Sequence, residues 1–130
     1  MSGTLPPRKV IVVCIALAVG LLHFVKGPSY HGPFRHFVNG YLIDILLPFA
    51  MYLVLGVGEH TLLRSRVFRG ILVFAVGAVT ETMQYFGVPI FGRTFDLLDY
   101  VMFGLGVALA MIFEKVVLSR FPRSMRSSTR

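Results

Sequence analysis

The sequence predicts an all-α fold, an integral membrane bundle of four transmembrane helices with both termini in the cytoplasm. Composition is the first reason, because 55% of the 130 residues are hydrophobic and 15% are charged, whereas an ordinary soluble domain carries roughly 25% charged residues. The apolar residues gather in four runs, and most basic residues lie on one side of those runs. The length suits a single domain that covers residues 1–130.

Residues 10–25 form the first predicted span, which follows the basic pair Arg8 and Lys9. A basic start before an apolar run also describes a signal peptide, but no small-x-small cleavage site follows this run. We therefore expect an uncleaved helix. The run is short for a membrane, and the long side chains of Lys9 and Lys26 can extend outward from its two ends.

Three further apolar runs complete the predicted bundle, at residues 41–57, about 71–90 and about 97–118. Gly-Pro pairs break any helix in the loop before the second span. Pro48 is expected to kink the second span without ending it, because prolines are tolerated in membrane helices. A basic loop is expected at 59–70, and a basic tail at 119–130.

Basic residues determine the expected orientation. With the N-terminus inside, the inner segments hold ten Lys or Arg residues and the outer loops hold three, which agrees with the enrichment of positive charge in cytoplasmic loops. The inner residues are Arg8, Lys9, Arg64, Arg66, Arg69, Lys115, Arg120, Arg123, Arg126 and Arg130. The outer residues are Lys26, Arg35 and Arg93.

Polar residues in and beside the last three spans form the candidate site. Under this topology, four of the six acidic residues lie on the extracytoplasmic side, within about two helical turns of the interface. Helical spacing places Glu81 and Gln84 on one stripe of the third span, and Asp96 and Asp99 on one stripe of the fourth. We expect one inward-facing pocket with Arg93 as counter-charge. The candidate ligand-binding residues are Asp44, Glu81, Gln84, Arg93, Asp96 and Asp99.

Two interpretations of this pocket stay open. It is either a site for a substrate or ion, or a buried polar staple that holds the helices together. In structural roles, Asp96 or Asp99 would cap the fourth span, and Gln84 would hydrogen-bond between helices. Glu81 is the hardest to explain in this way, because it is the deepest of the group.

Small residues in the fourth span predict close helix packing. The stripe of Asp96 and Asp99 runs on through Phe103, Gly106 and Ala110. Gly106 and Ala110 have the spacing at which membrane helices approach closely, and so do Gly104 and Ala108. Packing inside one bundle and formation of a homo-oligomer both remain open.

Several other classes of protein are not expected. The net charge of +7 would suit nucleic acid, but the charges lie at the ends of apolar runs and not on one solvated face, so we predict no nucleic-acid partner. Cys14 is the only cysteine, which excludes an intramolecular disulfide. His23, His31 and His36 match no metal-binding spacing, and we predict neither a metal site nor a cofactor.

The polar pattern resembles the signature of the VanZ-like family of small bacterial integral membrane proteins: Glu81-x-x-Gln84, then Arg93-x-x-Asp96-x-x-Asp99, then Gly106. The resemblance covers roughly residues 78–110. One departure is Phe103, where VanZ-like proteins often have Asn. The resemblance implies a multi-pass protein of the bacterial inner membrane that acts at the cell envelope and is related to antibiotic resistance, since the family's name-giver is linked to teicoplanin resistance. It assigns no catalytic roles.

Three functions follow from these observations. The first is a binding protein among membrane lipids, whose outer pocket holds a cell-envelope precursor, a lipid headgroup or a glycopeptide-like ligand. The second is a membrane enzyme that performs acid–base chemistry on a lipid-linked substrate, with Glu81 as the base. No nucleophile is evident, so we favour binding over catalysis. The third is a small transporter, which would need an oligomer because four short spans are few for a transport path.

Overall fold

Helices are the regular elements in the part of the chain described by a computed structural model, which covers residues 6–26, 30–58, 60–90 and 95–121. Besides the α-helices, there are short 3-10 turns at Leu62–Arg64 and Leu118–Arg120. The α-helices are α1 (Pro7–Lys26), α2 (Arg35–Gly40), α3 (Leu42–Val57), α4 (Arg66–Tyr85) and α5 (Leu97–Val116). The predicted all-α architecture is thereby confirmed.

Three helices are long and apolar enough to cross a membrane, over Pro7–Phe24, Arg66–Tyr85 and Leu97–Arg120. The predicted second span, α3, is apolar but has only 16 residues, which is about 24 Å of helix against a hydrocarbon core of about 30 Å. Helical hydrogen bonding continues from α2 into α3, since Tyr41 N–H donates to the Phe37 carbonyl at 2.8 Å. By length and composition, three of the described helices qualify as membrane spans, and α3 is too short to qualify on these criteria alone.

The start and the end of α4 both differ from the predicted span of about 71–90. The helix begins at Arg66 and not at 71, because the Ser65 hydroxyl accepts the Phe68 N–H at 3.3 Å and caps it. It ends at Tyr85 and not at 90, because the chain turns at Gly87, whose φ of 81° lies in the left-handed region that favours glycine. The expected loop at 59–70 therefore ends sooner, and Arg69 lies inside a helix.

The helix α3 lies at the centre of the bundle and packs against α1, α4 and α5, while α4 also packs against α5. Side chains from α1, α3, α4 and α5 share one core, which contains Val12, Tyr52, Val73, Val107 and Ala110. The outward residues of α1 and α4 are large and apolar. Such a surface suits a lipid environment.

The inward stripe predicted for α5 is confirmed from its first turn to its last. Asp99, Phe103, Gly106 and Ala110 are all buried. A Cβ atom on Gly106 would overlap the Ile45 carbonyl oxygen and lie 2.7 Å from the Pro48 ring. The pair Gly106 and Ala110 therefore brings α3 and α5 together inside one bundle.

We expect Gly106→Ala to lower the free energy of unfolding by about 1–3 kcal/mol, the usual cost of overpacking a close contact. Gly20→Ala is the matched control, because no atom lies within 4 Å of the added methyl group, and alanine is the better helix former by about 1 kcal/mol. Unfolding of the detergent-solubilised protein by SDS, followed by circular dichroism, measures both. Equal stability of the two variants would contradict the close α3–α5 contact.

Candidate functional site

Two polar clusters lie at opposite ends of the bundle. Neighbouring side chains show that α4 and α5 are antiparallel, since Gly70 lies beside Met111 and Gly77 lies beside Phe103. One end holds the acid cluster, which consists of Asp44, Glu81, Asp96 and Asp99. The other end holds the arginine cluster, which consists of Arg8, Tyr52, Arg66, Arg69 and Glu114. The buried side chains between them are apolar, among them Val73, Phe103 and Val107.

Three helices contribute carboxyl groups to the acid cluster. Glu81 on α4 is 4% exposed and Asp99 on α5 is 8% exposed, while Asp44 on α3 is half-buried. The carboxyl groups of Asp44 and Asp99 lie close to each other. The charge of Glu81 interacts with both Asp99 and Asp96.

One oxygen of Glu81 lacks a hydrogen-bond partner. Glu81 Oε2 is fully buried, and no donor in the described part of the chain reaches it. Buried polar atoms in native proteins nearly always have a partner, since leaving one unpaired costs free energy. This oxygen therefore marks a place where an external donor would stabilise the cluster.

No basic side chain in the described ranges pairs with the acid cluster. Every Arg–carboxylate pair found there involves Glu114 at the other end. Arg93, the predicted counter-charge, lies outside the described residues. Among the described residues, the acid cluster therefore contains more hydrogen-bond acceptors than donors.

Asp96 takes the structural role that its position suggested. Its Oδ1 accepts the Leu98 N–H at 3.0 Å and caps α5. Its Oδ2 accepts the Tyr41 hydroxyl at 3.0 Å, which ties the junction between α2 and α3 to the start of α5. Asp96 thus frames the acid cluster and is already satisfied by its neighbours.

Gln84 also has a partner within its own part of the chain. Its side-chain amide donates to the Ile90 carbonyl at 2.8 Å, which holds the turn that follows α4. The structure therefore brings Asp44, Glu81 and Asp99 together, places Asp96 at their edge, and gives Gln84 to the adjoining turn.

Aromatic side chains surround the acid-cluster end. Tyr85 contacts Phe86 and Phe95, and Phe95 contacts Tyr100, all edge to face with ring centroids 5.2 to 6.1 Å apart. Tyr85 and Phe86 are largely exposed. Exposed aromatic rings at the end of apolar helices are typical of the boundary between membrane and water.

The donor atoms in the acid cluster determine which ligands fit it. Within the ranges that the structure describes, no group of three or more His, Cys, Asp or Glu residues is arranged to hold a metal ion. Carboxylate oxygens in this arrangement accept hydrogen bonds from amines and hydroxyls. The geometry therefore favours a ligand that brings donors, above all a protonated amine.

The arginine cluster was not among the predicted sites. Arg69 is 1% exposed, and its Nη2 donates to both oxygens of Glu114 at 2.9 and 2.8 Å. The Tyr52 hydroxyl donates to Glu114 Oε2 at 2.8 Å. The Arg69 guanidinium also lies over the Tyr52 ring, 4.6 Å from its centroid, and against Gly56, where any side chain would overlap it.

Two further arginines complete this cluster. Arg8 Nη2 on α1 donates to Glu114 Oε1 at 2.9 Å, and Arg66 Nε lies 3.7 Å from Glu114 Oε2. Glu114 thus receives side chains from α1, α3 and α4. A signal was present in the sequence, because Glu114 lies four residues after Ala110 and continues the inward stripe of α5.

We expect Glu114→Ala to lower the free energy of unfolding by about 3–5 kcal/mol, because it leaves the buried Arg69 guanidinium without its counter-charge. Tyr52→Phe removes a single donor and should cost about 1–3 kcal/mol. SDS unfolding measures both, with Arg64→Gln as control, since Arg64 is exposed and such surface changes stay within about 0.5 kcal/mol. If Glu114→Ala unfolds like the control, the arginine cluster does not hold the bundle.

Comparisons with known proteins identify no relative. No protein-family model, no curated protein and no solved structure matches the chain. The likeness to the VanZ-like family thus rests on the polar pattern between Glu81 and Gly106 alone. The function must be argued from the contacts of the two polar clusters.

Proposed function

We propose that this chain is a VanZ-like protein of the bacterial inner membrane, and that its acid cluster binds an amine-bearing headgroup of an envelope lipid or envelope precursor at the outer leaflet. The observation that carries the proposal is Glu81 Oε2, a buried carboxyl oxygen with no hydrogen-bond partner among the residues that the structure describes. It lies in a cluster of carboxyl groups from three helices. A bound ammonium group would supply both the missing donor and the missing positive charge.

Four crossings are part of this proposal, with α3 as the additional span. Asp44 joins α3 to the acid cluster, and Tyr52 joins it to the arginine cluster. The helix α3 therefore links the same two ends of the bundle as α4 and α5. Its shorter length is offset by α2, which precedes it directly and would lie in the headgroup region.

The proposed orientation puts both termini in the cytoplasm. Basic residues are concentrated at the arginine-cluster end, where Arg8, Arg66 and Arg69 surround one carboxylate. The opposite end carries the acid cluster and its exposed aromatic rings. This asymmetry supports a cytoplasmic arginine cluster and an extracytoplasmic acid cluster.

A protonated amine suits the acid cluster better than an anion or an apolar group. Carboxylate oxygens only accept hydrogen bonds, so an ammonium group complements the carboxyl groups of Asp44, Glu81 and Asp99 in both charge and hydrogen bonding. Ethanolamine headgroups and amino sugars or amino acids of envelope precursors carry such groups. A glycopeptide-like ligand is a further member of this class, since it also carries amines.

An enzyme is the second candidate, and one observation favours it. Carboxyl groups from three helices meet beside the unpartnered Glu81 Oε2, and a pair of carboxyl groups can serve as general acid and general base. In this version Glu81 would deprotonate water or a hydroxyl of a lipid-linked substrate. Loss of turnover in Glu81→Gln, with unchanged binding of that substrate, would distinguish catalysis from binding.

A transporter is less well supported by the packing of the bundle. The buried side chains between the two clusters are apolar, including Val73, Phe103 and Val107. A polar path through one copy would need donors and acceptors at that depth. Transport would therefore require an oligomer whose path lies between copies.

Cysteine labelling tests the proposed topology. In a Cys14→Ala background, Gly92→Cys should react with a membrane-impermeant maleimide in spheroplasts, because residue 92 would lie outside. Ser65→Cys should react only after the membrane is opened, because Ser65 precedes α4 at the arginine-cluster end. Labelling of position 65 from outside would reverse the topology and place the acid cluster in the cytoplasm.

Lipid binding tests the acid cluster. We expect native mass spectrometry of the detergent-solubilised protein to show tighter binding of phosphatidylethanolamine than of phosphatidylcholine, whose quaternary amine cannot donate. Glu81→Gln should weaken phosphatidylethanolamine about tenfold or more, as a charged hydrogen bond contributes about 1.5–3 kcal/mol. Thr82→Val on the exposed neighbouring position should keep the preference. An unchanged preference in Glu81→Gln would refute the proposal.

A further inference from the structure

The arginine cluster carries more positive charge than it needs. Three guanidinium groups surround the single carboxylate of Glu114. Arg69 and Arg8 take its oxygens at 2.8 to 2.9 Å, whereas Arg66 stays 3.7 Å away and its side chain is 52% exposed. Within the described residues, Glu114 is the one carboxylate near Arg66, and Arg66 presents its charge at the surface of the bundle.

An apolar groove of about 430 Å³ lies between α4 and α5 beside this charge. Its walls include Val67, Gly70 and Phe74 on α4, and Gly104, Val107 and Met111 on α5. Gly70 and Gly104 have no side chains, so the two helices leave a furrow between their larger neighbours. A methyl group on Gly104 would lie 3.6 Å from the Phe74 ring, which shows how narrow the furrow is.

Both walls of the groove end in a cation at the same end. Arg66 lies one helical turn before Gly70 on α4, and Lys115 lies one turn after Met111 on α5. Both side chains are exposed. Because α4 and α5 are antiparallel, these two positions flank the mouth of the groove, and the rest of it extends toward the middle of the bundle.

We propose that this groove is a binding site for an anionic phospholipid, with an acyl chain between α4 and α5 and the phosphate on Arg66 and Lys115. The inference rests on the membrane placement proposed above, but not on the acid cluster. Charge complementarity selects this occupant, since basic pockets between membrane helices on the cytoplasmic side match anionic headgroups. An apolar helix of a second copy would cover the same groove yet bring no anion to the two exposed cations.

Competitive lipid binding to the full-length protein tests the site. Native mass spectrometry should show that phosphatidylglycerol binds more tightly than phosphatidylcholine with the same acyl chains. The double variant Arg66→Gln/Lys115→Gln should weaken phosphatidylglycerol about thirtyfold, since each basic residue near an anionic surface contributes about 1 kcal/mol. Arg64→Gln is the matched control, because Arg64 is an exposed arginine in the turn before α4 and should leave the binding unchanged.

A second variant tests the acyl chain separately from the charges. Gly104→Leu fills the furrow and keeps both cations, so it should weaken intact phosphatidylglycerol about tenfold while circular dichroism shows an unchanged helix content. If Gly104→Leu does not fold, Gly104→Ala serves instead, because its methyl group meets only ordinary contact distances. Intact binding in a folded variant would overturn the groove as the acyl site.

Four results would overturn the proposal. Equal binding of phosphatidylglycerol and phosphatidylcholine would remove the charge recognition, and an equal loss in Arg64→Gln would reduce it to general surface attraction. Competition by inorganic phosphate at the concentration of the lipid would indicate a free-phosphate site. Recovery of the protein from the soluble fraction without detergent would overturn the membrane placement and this site together, whereas loss of phosphatidylethanolamine selectivity alone would affect only the acid cluster.

Discussion

The rest of the bundle depends on the hydrogen bonds and ion pairs made by the buried carboxylate of Glu114. It receives hydrogen bonds from Arg8 on α1, Tyr52 on α3 and Arg69 on α4. A buried charge is tolerated only when its partners are complete, and here both oxygens are engaged. The cost of removing any partner is therefore large. This single group sets how the three helices meet α5 at one end.

The two polar clusters follow different electrostatic rules although both are buried. In the arginine cluster, cations and a hydroxyl saturate the carboxylate, which is what a structural staple requires. In the acid cluster, carboxyl groups gather without a cation in the described part of the chain, and Glu81 Oε2 has no donor. Arg69 Nε in the arginine cluster is also buried without a partner among the described residues, so the difference in charge compensation is what supports a ligand at the acid cluster.

Charge and shape also divide the surface of the bundle. The apolar middle separates a cationic end from an end with acids and aromatic rings. The groove between α4 and α5 opens beside the cationic end. Each proposed ligand thus binds an end of opposite charge: an amine binds the acid cluster, and a phosphate binds the mouth of the groove. The residues of the two sites lie at opposite ends of the helices, so each site can be mutated without changing the other.

Glycine residues allow the helices of the bundle to pack closely. Gly106 lets α5 approach the backbone of α3, and Gly77 leaves room for the Phe103 ring between α4 and α5. Close approach of membrane helices depends on such small residues, because lipid supplies no hydrophobic force between helices. Phe103 fills the space above Gly77 with an apolar ring, which keeps polar atoms out of the middle of the bundle.

The sequence by itself determined the helical membrane-compatible class, the start of α5 and its inward stripe, and the polar residues of α3, α4 and α5 that were candidates for one pocket. Hydropathy and the helical period suffice for these, because they depend on one helix at a time. Only the tertiary structure decided the partners of Glu114, the hydrogen bonds of Asp96 and Gln84, and the groove beside Arg66. A stripe shows which face turns inward, but which side chain it meets depends on the order and direction of the neighbouring helices. Arg69 shows the reason most clearly, since it was counted as a loop charge and is instead buried against a residue 45 positions away.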